Sequence, residues 1–293
     1  MPSRLTCRRT WQRCKVPSAT RLNSGAVVTR EHLGWVLHES GPETADHSVL
    51  LLPGALATAA FYDDLLAEPS MRETPIRFVA TTIPGFGGTA PPRDMSMESY
   101  SKLTGALASD LGCDAVVGHS LGANIAVEMA SARDFSGSLV LLAPSFSRQD
   151  ESKFPRALDR LSRVLGHLPY SLMLKMIGPA MKSGLPETRR EALIAELKKN
   201  DPRFLRRQTH LYLEYLDRHG SLAPRFADSG VPAWVVYGEH DDIGLTDSER
   251  DVLEASPHVS IVRIPDAGHF TLNQQPGEVA RLVLEALSSA VPR

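Results

Sequence analysis

Three regions that lie far apart in the chain carry the residue types needed for nucleophilic catalysis: Ser120, the acidic loop 239–242 and His269. Ser120 is the centre of a Gly-His-Ser-Leu-Gly stretch, 118–122, between a short apolar run and a helical pattern. A tight turn from a strand into a helix strains its central residue, and side chains at the flanking positions would meet backbone, so glycine fits there. We therefore expect this turn to present the Ser120 hydroxyl at a sheet edge, with the Leu121 N–H pointing the same way.

A serine hydroxyl is a weak nucleophile until a base takes its proton, and the base needs an acid to orient it. His269 follows Gly268 and the apolar run 259–264, and the last helical pattern follows it. Asp241 and Asp242 follow another apolar run, 234–237. Because open α/β sheets place their sites at the carboxyl ends of strands, we expect the serine, an acid and the histidine to meet at one edge.

Short β-branched runs alternate with helical patterns from about residue 25 onward. Most of the runs are continuously apolar, which is typical of strands buried on both faces of a parallel sheet. The alternation predicts an α/β fold. The predicted strands are Ala26–Thr29 and Leu33–His38 as a hairpin, then Val49–Leu52, Ile76–Thr81, Ala115–Val117, Leu139–Leu142, Trp234–Tyr237 and Val259–Ile264.

Helical patterns fill the intervals between these strands. The last of them places five apolar side chains on one face, namely Val279, Leu282, Val283, Ala286 and Leu287. The predicted helices are Phe61–Leu66, Ser99–Leu111, Leu121–Ala132, Ser248–Ala255 and Glu278–Ala290.

The stretch from Ser145 to Gly230 breaks the alternation, because it contains helical patterns and no convincing strand. Pro186 opens a predicted helix at 187–199, and Asp201-Pro202 is typical of an N-cap followed by proline at the first helical position. Gly220 ends that second helix. We predict that these helices lie over the carboxyl edge of the strands as a cap.

Composition and charge exclude several classes of protein. The 293 residues are 42% hydrophobic and 23% charged, as in ordinary globular proteins rather than disordered or fibrous ones. The net charge is −2, although residues 1–30 contain seven Lys and Arg and no acid. The rest of the chain is therefore acidic, which argues against a nucleic-acid partner.

Three cysteines, Cys7, Cys14 and Cys113, are too few for a disulfide framework and have no zinc-ligand spacing. No stretch has the roughly 18 apolar residues that span a bilayer, so no stable membrane insertion is expected. We interpret residues 1–24 as a disordered basic tail or an early translation start, with an Arg/Ser-rich transit peptide as the alternative. The expected location is cytoplasmic, and the oligomeric state stays open.

The motifs together resemble the α/β-hydrolase family, and the resemblance covers nearly everything from Gly25 to the C-terminus. It rests on 118–122 as the nucleophile elbow, on 238–241 as the acid turn and on Gly268-His269 as the base loop. Two further stretches fit, 52–55 at the oxyanion-loop position and 84–87 at the family's glycine-rich turn.

This resemblance implies a mostly parallel eight-stranded sheet with helices on both faces and a helical cap inserted after strand six. The implied domains are a core of 25–145 and 231–293 and a cap of 146–230. It also implies Ser120, Asp241 and His269 as the catalytic residues, with Asp241 preferred to Asp242. The backbone N–H groups of Leu121 and Ala55 are the implied oxyanion hole.

The chain departs from the family pattern at two positions. Pro53 replaces the usual histidine of the oxyanion loop, which is mostly structural, so we expect the Ala55 N–H to serve. Thr82 replaces a frequent aspartate, which we expect to remove a local structural bond.

The resemblance implies a serine hydrolase that cleaves a carboxylic ester of a small to medium apolar substrate, without metal or cofactor. A carbon–carbon bond hydrolase or thioesterase with the same residues is the alternative enzyme, and a ligand receptor on the same fold is the non-enzymatic one. Phe61, Met173, Met176 and Phe270 are the candidate substrate-binding residues. The apolar stripe 172–181 and the aromatic residues of 204–215 are interpreted chiefly as packing.

Overall fold

The computed structural model describes residues 28–32, 34–180 and 185–288, in which eight strands form one sheet. The strands are β1 (Val28–His32), β2 (Trp35–Ser40), β3 (His47–Leu52), β4 (Ile76–Thr82), β5 (Ala115–His119), β6 (Ser138–Leu142), β7 (Ala233–Gly238) and β8 (Val259–Ile264). Their order in the sheet is β1-β2-β4-β3-β5-β6-β7-β8. The pairs β1–β2 and β2–β4 are antiparallel and the others are parallel, so the predicted mostly parallel eight-stranded sheet is confirmed.

The strands contribute alternate residues to two hydrophobic clusters, one on each face of the sheet. In β3, Leu50 and Leu52 belong to one cluster, whereas Val49 and Leu51 belong to the other. Residues 115–119 and 138–142 are buried at every position. Continuous apolar runs are therefore the result of burial on both faces, as the sequence indicated.

Twelve helices surround the sheet in the described part of the chain. They are α1 (Asp63–Leu66), α2 (Pro69–Arg72), α3 (Met97–Asp110), α4 (Leu121–Ser131), α5 (Lys153–Leu165), α6 (Leu168–Ala180), α7 (Arg190–Leu197), α8 (Pro202–His219), α9 (Ala223–Ala227), α10 (Asp247–Glu254), α11 (Thr271–Gln274) and α12 (Pro276–Ser288). All five apolar residues predicted on one face of α12 are buried.

Capping residues explain why two helices begin before the predicted positions. The Ser96 side chain accepts a hydrogen bond from the Ser99 N–H, so α3 begins at Met97. Thr246 and Glu249 form a capping box, so α10 begins at Asp247. The predicted helix 61–66 is a 3-10 turn, Ala59–Tyr62, followed by α1.

Helices α5 to α9 lie between β6 and β7 in the chain. The boundaries 146–230 of a separate cap remain a prediction. Where the chain enters and leaves this inserted region, Ser147 and Ser221 form an antiparallel bridge, and the Leu222 N–H donates to the Phe146 carbonyl at 2.7 Å. Asp201 caps α8 by accepting from the Arg203 N–H at 2.7 Å, as predicted.

The predicted helix 187–199 is too long at both ends. Residues 187–189 form a turn, in which the Arg189 N–H donates to the Pro186 carbonyl. At the other end, the Asn200 amide donates to the Leu197 carbonyl at 2.8 Å and stops α7 there. Helix α5 was not predicted.

Several predictions fall outside the described residues. These are the tail 1–24 with Cys7 and Cys14, the start of the first strand before Val28, Leu33, Met181 and the end of the last helix after Ser288. Within the described ranges, no helix has both the length and the apolar character that crossing a bilayer requires.

Candidate active site

Ser120 lies in a strained turn between β5 and α4, with φ 49° and ψ −116°. The turn depends on both flanking glycines. A Cβ at Gly118 would lie 2.6 Å from the Ala123 nitrogen, and one at Gly122 would lie 2.6 Å from the Pro53 carbonyl oxygen. Because backbone occupies both places, a larger residue at 118 or 122 would force the strand and the helix apart. The turn thus takes the conformation predicted from the sequence.

The carboxyl ends of β7 and β8 carry Asp241 and His269. The His269 Nδ1 lies 3.1 and 3.2 Å from the two carboxylate oxygens of Asp241, whose side chain is 0% exposed. A carboxylate only accepts hydrogen bonds, so Nδ1 carries a proton, and in the neutral form of the ring Nε2 is the nitrogen with the lone pair. The Ile243 N–H donates to the same carboxylate at 3.0 Å. Asp242 is exposed, and among the described residues the hydrogen bonds of the His269 Nδ1 go to Asp241 and not to Asp242.

The loops that carry the acid and the histidine hold each other in place. The Glu239 N–H donates to the Ile264 carbonyl at 2.9 Å, and the His240 N–H donates to the Ala267 carbonyl at 2.8 Å. In the second loop, the Gly268 N–H donates to the Gln274 side chain at 2.7 Å. Two main-chain bonds between the loops, with a side-chain bond inside the second loop, therefore keep Asp241 and His269 close together.

His119, the residue before Ser120, is a part of the site that the sequence reasoning missed. It is buried, and its Nε2 donates to the main-chain carbonyl of His269 at 2.8 Å. Burial, together with the neighbouring His269, lowers the pKa of His119 to about 3, so this ring is neutral at ordinary pH. His119 thus connects the serine turn directly to the histidine loop. Its position next to Ser120 was the only available signal.

The two residues predicted to supply the oxyanion donors lie next to Ser120 in the chain (Leu121) and on the same cavity wall (Ala55). Leu121 is the first residue of α4, and Ala55 follows Gly54 after β3. A Cβ at Gly54 would lie 3.2 Å from the Ser120 Cβ, so the absence of a side chain lets this loop approach the turn. Among the hydrogen bonds of the described residues, none uses the N–H of Ala55 or Leu121.

Thr82 was expected to lack the local structural bond of the frequent aspartate, but its side chain does form a local hydrogen bond. The Thr82 hydroxyl accepts a hydrogen bond from the Ala59 N–H at 3.1 Å. A threonine oxygen therefore anchors the segment after the oxyanion loop.

A cavity of about 880 Å³ opens beside the serine turn, and Ser120, Asp241 and His269 all line it. All four predicted substrate-binding residues line it too, namely Phe61, Met173, Met176 and Phe270. None of the hydrogen bonds of the described residues involves the Ser120 hydroxyl, and Ser120 lines this cavity. Phe154, Leu158 and Leu161 of α5 are lining residues that the sequence reasoning missed, although their spacing is helical.

The lining is mostly apolar. It includes three acids, Glu151, Asp241 and Asp242, and no Lys or Arg among the described residues. Phe204, Tyr212 and Tyr215 of α8 are buried in the core instead, which agrees with their interpretation as packing.

Metal ligands do not gather inside the cavity. Across the described ranges, one group of three comes close enough to share an ion, Glu239, His240 and Asp266, with ligand atoms within 4.8 Å of one another. All three are exposed, and exposed acidic groups of this kind are common on protein surfaces. We give this group no role.

Comparison with known sequences decides the family. The profile of the alpha/beta hydrolase family matches residues 49–282, well over half of the chain. The chain belongs to the alpha/beta hydrolase family. No curated protein has significant sequence similarity to this hydrolase-family member.

Solved structures show the same fold at low sequence identity. A mutant N-acyl homoserine lactonase AidH, complexed with N-hexanoyl homoserine, has a TM-score of 0.69 at 18% identity, covering 92% of this chain and 98% of its own. The esterase EaEST from Exiguobacterium antarcticum has a TM-score of 0.69 at 14% identity, covering 87% and 96%. The epoxide hydrolase CorEH has a TM-score of 0.66 at 20% identity, covering 90% and 98%. The family supports a hydrolase, and these neighbours show the shared fold.

Proposed function

We propose that the protein is a serine hydrolase that cleaves a carboxylic ester of a small to medium apolar substrate. Ser120 is the nucleophile, His269 the general base and Asp241 the acid that orients the base. The observation that carries this proposal is the pair of contacts from His269 Nδ1 to the buried Asp241 carboxylate, beside a cavity that Ser120 also lines.

The geometry supports a two-step acyl transfer. Because Asp241 fixes the proton on Nδ1, the Nε2 of His269 accepts the Ser120 proton as Oγ attacks the substrate carbonyl. The Leu121 and Ala55 N–H groups stabilise the developing oxyanion, and losing one such donor typically costs about 3 kcal/mol. His269 then protonates the departing alcohol. In the second step it activates the water that releases the acid from Ser120.

The residue type at the elbow favours acyl chemistry over epoxide opening. Epoxide hydrolases of this fold use an aspartate at the elbow, because they need a carboxylate to form an alkyl-enzyme. A serine at position 120 suits carbonyl substrates, whose tetrahedral intermediate the two N–H groups stabilise.

The cavity lining supports a neutral, apolar substrate. Apolar side chains predominate, and a carboxylated substrate has no cationic partner among the described lining residues. This favours an ester over the diketone-like acids that a carbon–carbon bond hydrolase would take. A thioesterase shares the same catalytic residues and is separated from an esterase by the assay below.

Labelling with a fluorophosphonate tests for an activated serine without knowledge of the substrate. We expect the probe to modify Ser120, identified by peptide mapping, because only a deprotonated hydroxyl attacks phosphorus rapidly. Ser120→Ala should abolish labelling, and Ser136→Ala, at an exposed serine, should leave it unchanged. Labelling at another residue would remove Ser120 from the mechanism, and a folded protein that resists labelling would support the receptor alternative.

A substrate panel tests the ester assignment. We expect p-nitrophenyl esters to be hydrolysed faster than acyl-CoA thioesters or diketone acids, and Ser120→Ala to lower kcat by about 10⁴-fold or more. Faster turnover of thioesters or diketone acids would replace the ester assignment while retaining Ser120.

A further inference from the structure

The exposed apolar side chains of this protein concentrate in one place. Of the eight large hydrophobic residues that are exposed in the described ranges, seven belong to α5 and α6. They are Phe154, Leu161, Val164, Leu165, Leu168, Leu172 and Met176, which we call the α5–α6 face. Val164 is 84% exposed and Leu172 is 62% exposed. Clustered exposure of this kind marks an interaction site, because isolated apolar residues are what ordinary surfaces show.

The α5–α6 face adjoins the cavity, because four of its seven residues also line it. Phe154, Leu161, Leu172 and Met176 line the cavity and are also at least half exposed. A side chain in both positions lies at the rim, so the apolar surface outside continues into the apolar interior. A partner on this face would thus meet the cavity entrance.

Charge identifies the kind of partner. Residues 152–180 contain five Lys and Arg and a single acid, Asp159, which is buried, whereas the whole chain has a net charge of −2. On α5 the cations follow helical spacing at Lys153, Arg156, Arg160 and Arg163, beside the apolar residues.

Most of these cations are available to a ligand. Arg163 pairs with Asp159, but Lys153, Arg160 and Lys175 are exposed and enter none of the ion pairs that the described residues form. A helix with solvated cations on one side and exposed Phe, Leu and Val on the other is typical of binding to an anionic lipid interface.

We propose that the α5–α6 face docks the protein reversibly on an anionic lipid surface, with the cavity entrance facing the lipid. Apolar side chains enter the interface while the flanking cations contact the headgroups. A second copy of the chain would bring the same positive charges together. The N-terminal residues 1–30 contain seven cations and no acid, so their charge is not complementary to the positive α5–α6 face either.

The test is co-sedimentation of the full chain with lipid vesicles. Using Ser120→Ala protein makes the measurement independent of the proposed function, because no turnover is needed and no lipid is consumed. We expect binding to phosphatidylglycerol/phosphatidylcholine vesicles to exceed binding to phosphatidylcholine vesicles by on the order of 10-fold, and to weaken when salt is raised to about 0.5 M.

Two sets of variants locate the surface. In the Ser120→Ala protein, Val164→Ser with Leu168→Ser, neither of which lines the cavity, should reduce vesicle binding by about 10-fold with an unchanged melting temperature. In protein that keeps Ser120, the same pair should leave hydrolysis of a water-soluble ester unchanged. Lys153→Glu with Arg160→Glu should abolish the preference for anionic vesicles. The matched controls are Leu103→Ser and Lys102→Glu on α3, which should have no effect.

Three results would overturn the proposal. The first is an absence of vesicle binding by folded protein, and the second is binding that the α5–α6 variants do not weaken. The third is self-association in sedimentation velocity that Val164→Ser with Leu168→Ser removes, which would make this face an interface between two copies. None of these results would affect the fluorophosphonate labelling of Ser120.

Discussion

The sheet edge and the inserted helices differ in how closely they are packed. At the edge, backbone approaches backbone so closely that glycine is needed at 118 and 122, and main-chain bonds hold the Asp241 and His269 loops together. Helices α5 and α6 instead expose apolar side chains, and Gly178 of α6 has only the Ile194 Cγ2 at 3.8 Å near its Cβ position. A site for fixed chemistry needs the first kind of packing. A surface that meets varied apolar molecules works with the second.

Exchanging the two neighbouring aspartates for asparagine gives the largest contrast. Asp241→Asn should lower kcat by about 10⁴-fold, because an amide can donate to Nδ1 and so favours the wrong histidine tautomer. Asp242→Asn should change kcat by less than about threefold, since its side chain is exposed and the His269 Nδ1 bonds to Asp241 instead. The measurement is steady-state ester hydrolysis with a check of the melting temperature. The reverse ranking would give the acid role to Asp242.

The contrast in packing can be measured directly with two Gly→Ala variants. Gly122→Ala should reduce the free energy of unfolding by about 1–3 kcal/mol, because its Cβ would lie 2.6 Å from the Pro53 carbonyl oxygen. Gly178→Ala should be neutral or slightly stabilising, since its Cβ has space and alanine favours a helix. Denaturant unfolding gives both values. Equal effects would show that the two regions are packed alike.

The junction of the two regions predicts a pH dependence of stability. Asp150, at the start of the inserted region, accepts from the Phe146 and Ser147 N–H groups and contacts Glu249 of α10. Burial, with the Glu249 carboxylate beside it, raises the pKa of Asp150 to about 7. Burial opposes ionisation of Glu249 as well, yet hydrogen bonds from Thr246 and Asp150 lower its pKa.

The folded protein therefore keeps a proton on Asp150 that the unfolded chain releases near pH 4. Since the folded state binds more protons between about pH 4 and pH 7, this group makes the free energy of unfolding fall as pH rises through that range. Asp150→Asn cannot ionise, so its melting temperature should fall less than that of the unaltered protein between about pH 5 and pH 8. Asp228→Asn, at an exposed acid, is the control. If the melting temperature of Asp150→Asn changed with pH as it does in the unaltered protein, Asp150 would not keep a proton in the folded state.

The smallest expected effect is on substrate length. Leu158→Ala removes an α5 side chain from the cavity, so the ratio of kcat/KM for longer over shorter p-nitrophenyl esters should rise by about three- to tenfold. Leu103→Ala, at an exposed leucine outside the cavity, should leave the ratio unchanged. An unaltered ratio in Leu158→Ala would show that this α5 side chain does not affect the preference for substrate length.

Local patterns were sufficient to predict the strands and the positions of Ser120, Asp241 and His269. A strand buried on both sheet faces has a continuous apolar run, and a strained turn has glycines at fixed spacing. Both patterns involve only a few neighbouring residues, so the sequence alone shows them. Helices α3 and α10 begin one or two residues before their predicted starts because of capping hydrogen bonds. Helix α5 went unpredicted although Phe154, Leu158 and Leu161 have helical spacing.

The sequence by itself determined which residues stand at the ends of the strands, because strand periodicity and turn chemistry are local. Only the tertiary structure decided that the Asp241 carboxylate is buried against His269, that His119 donates to the His269 main chain and that α5 and α6 line the cavity. These features join residues from about 30 to 150 positions apart, so they depend on how the strands and the inserted helices pack together.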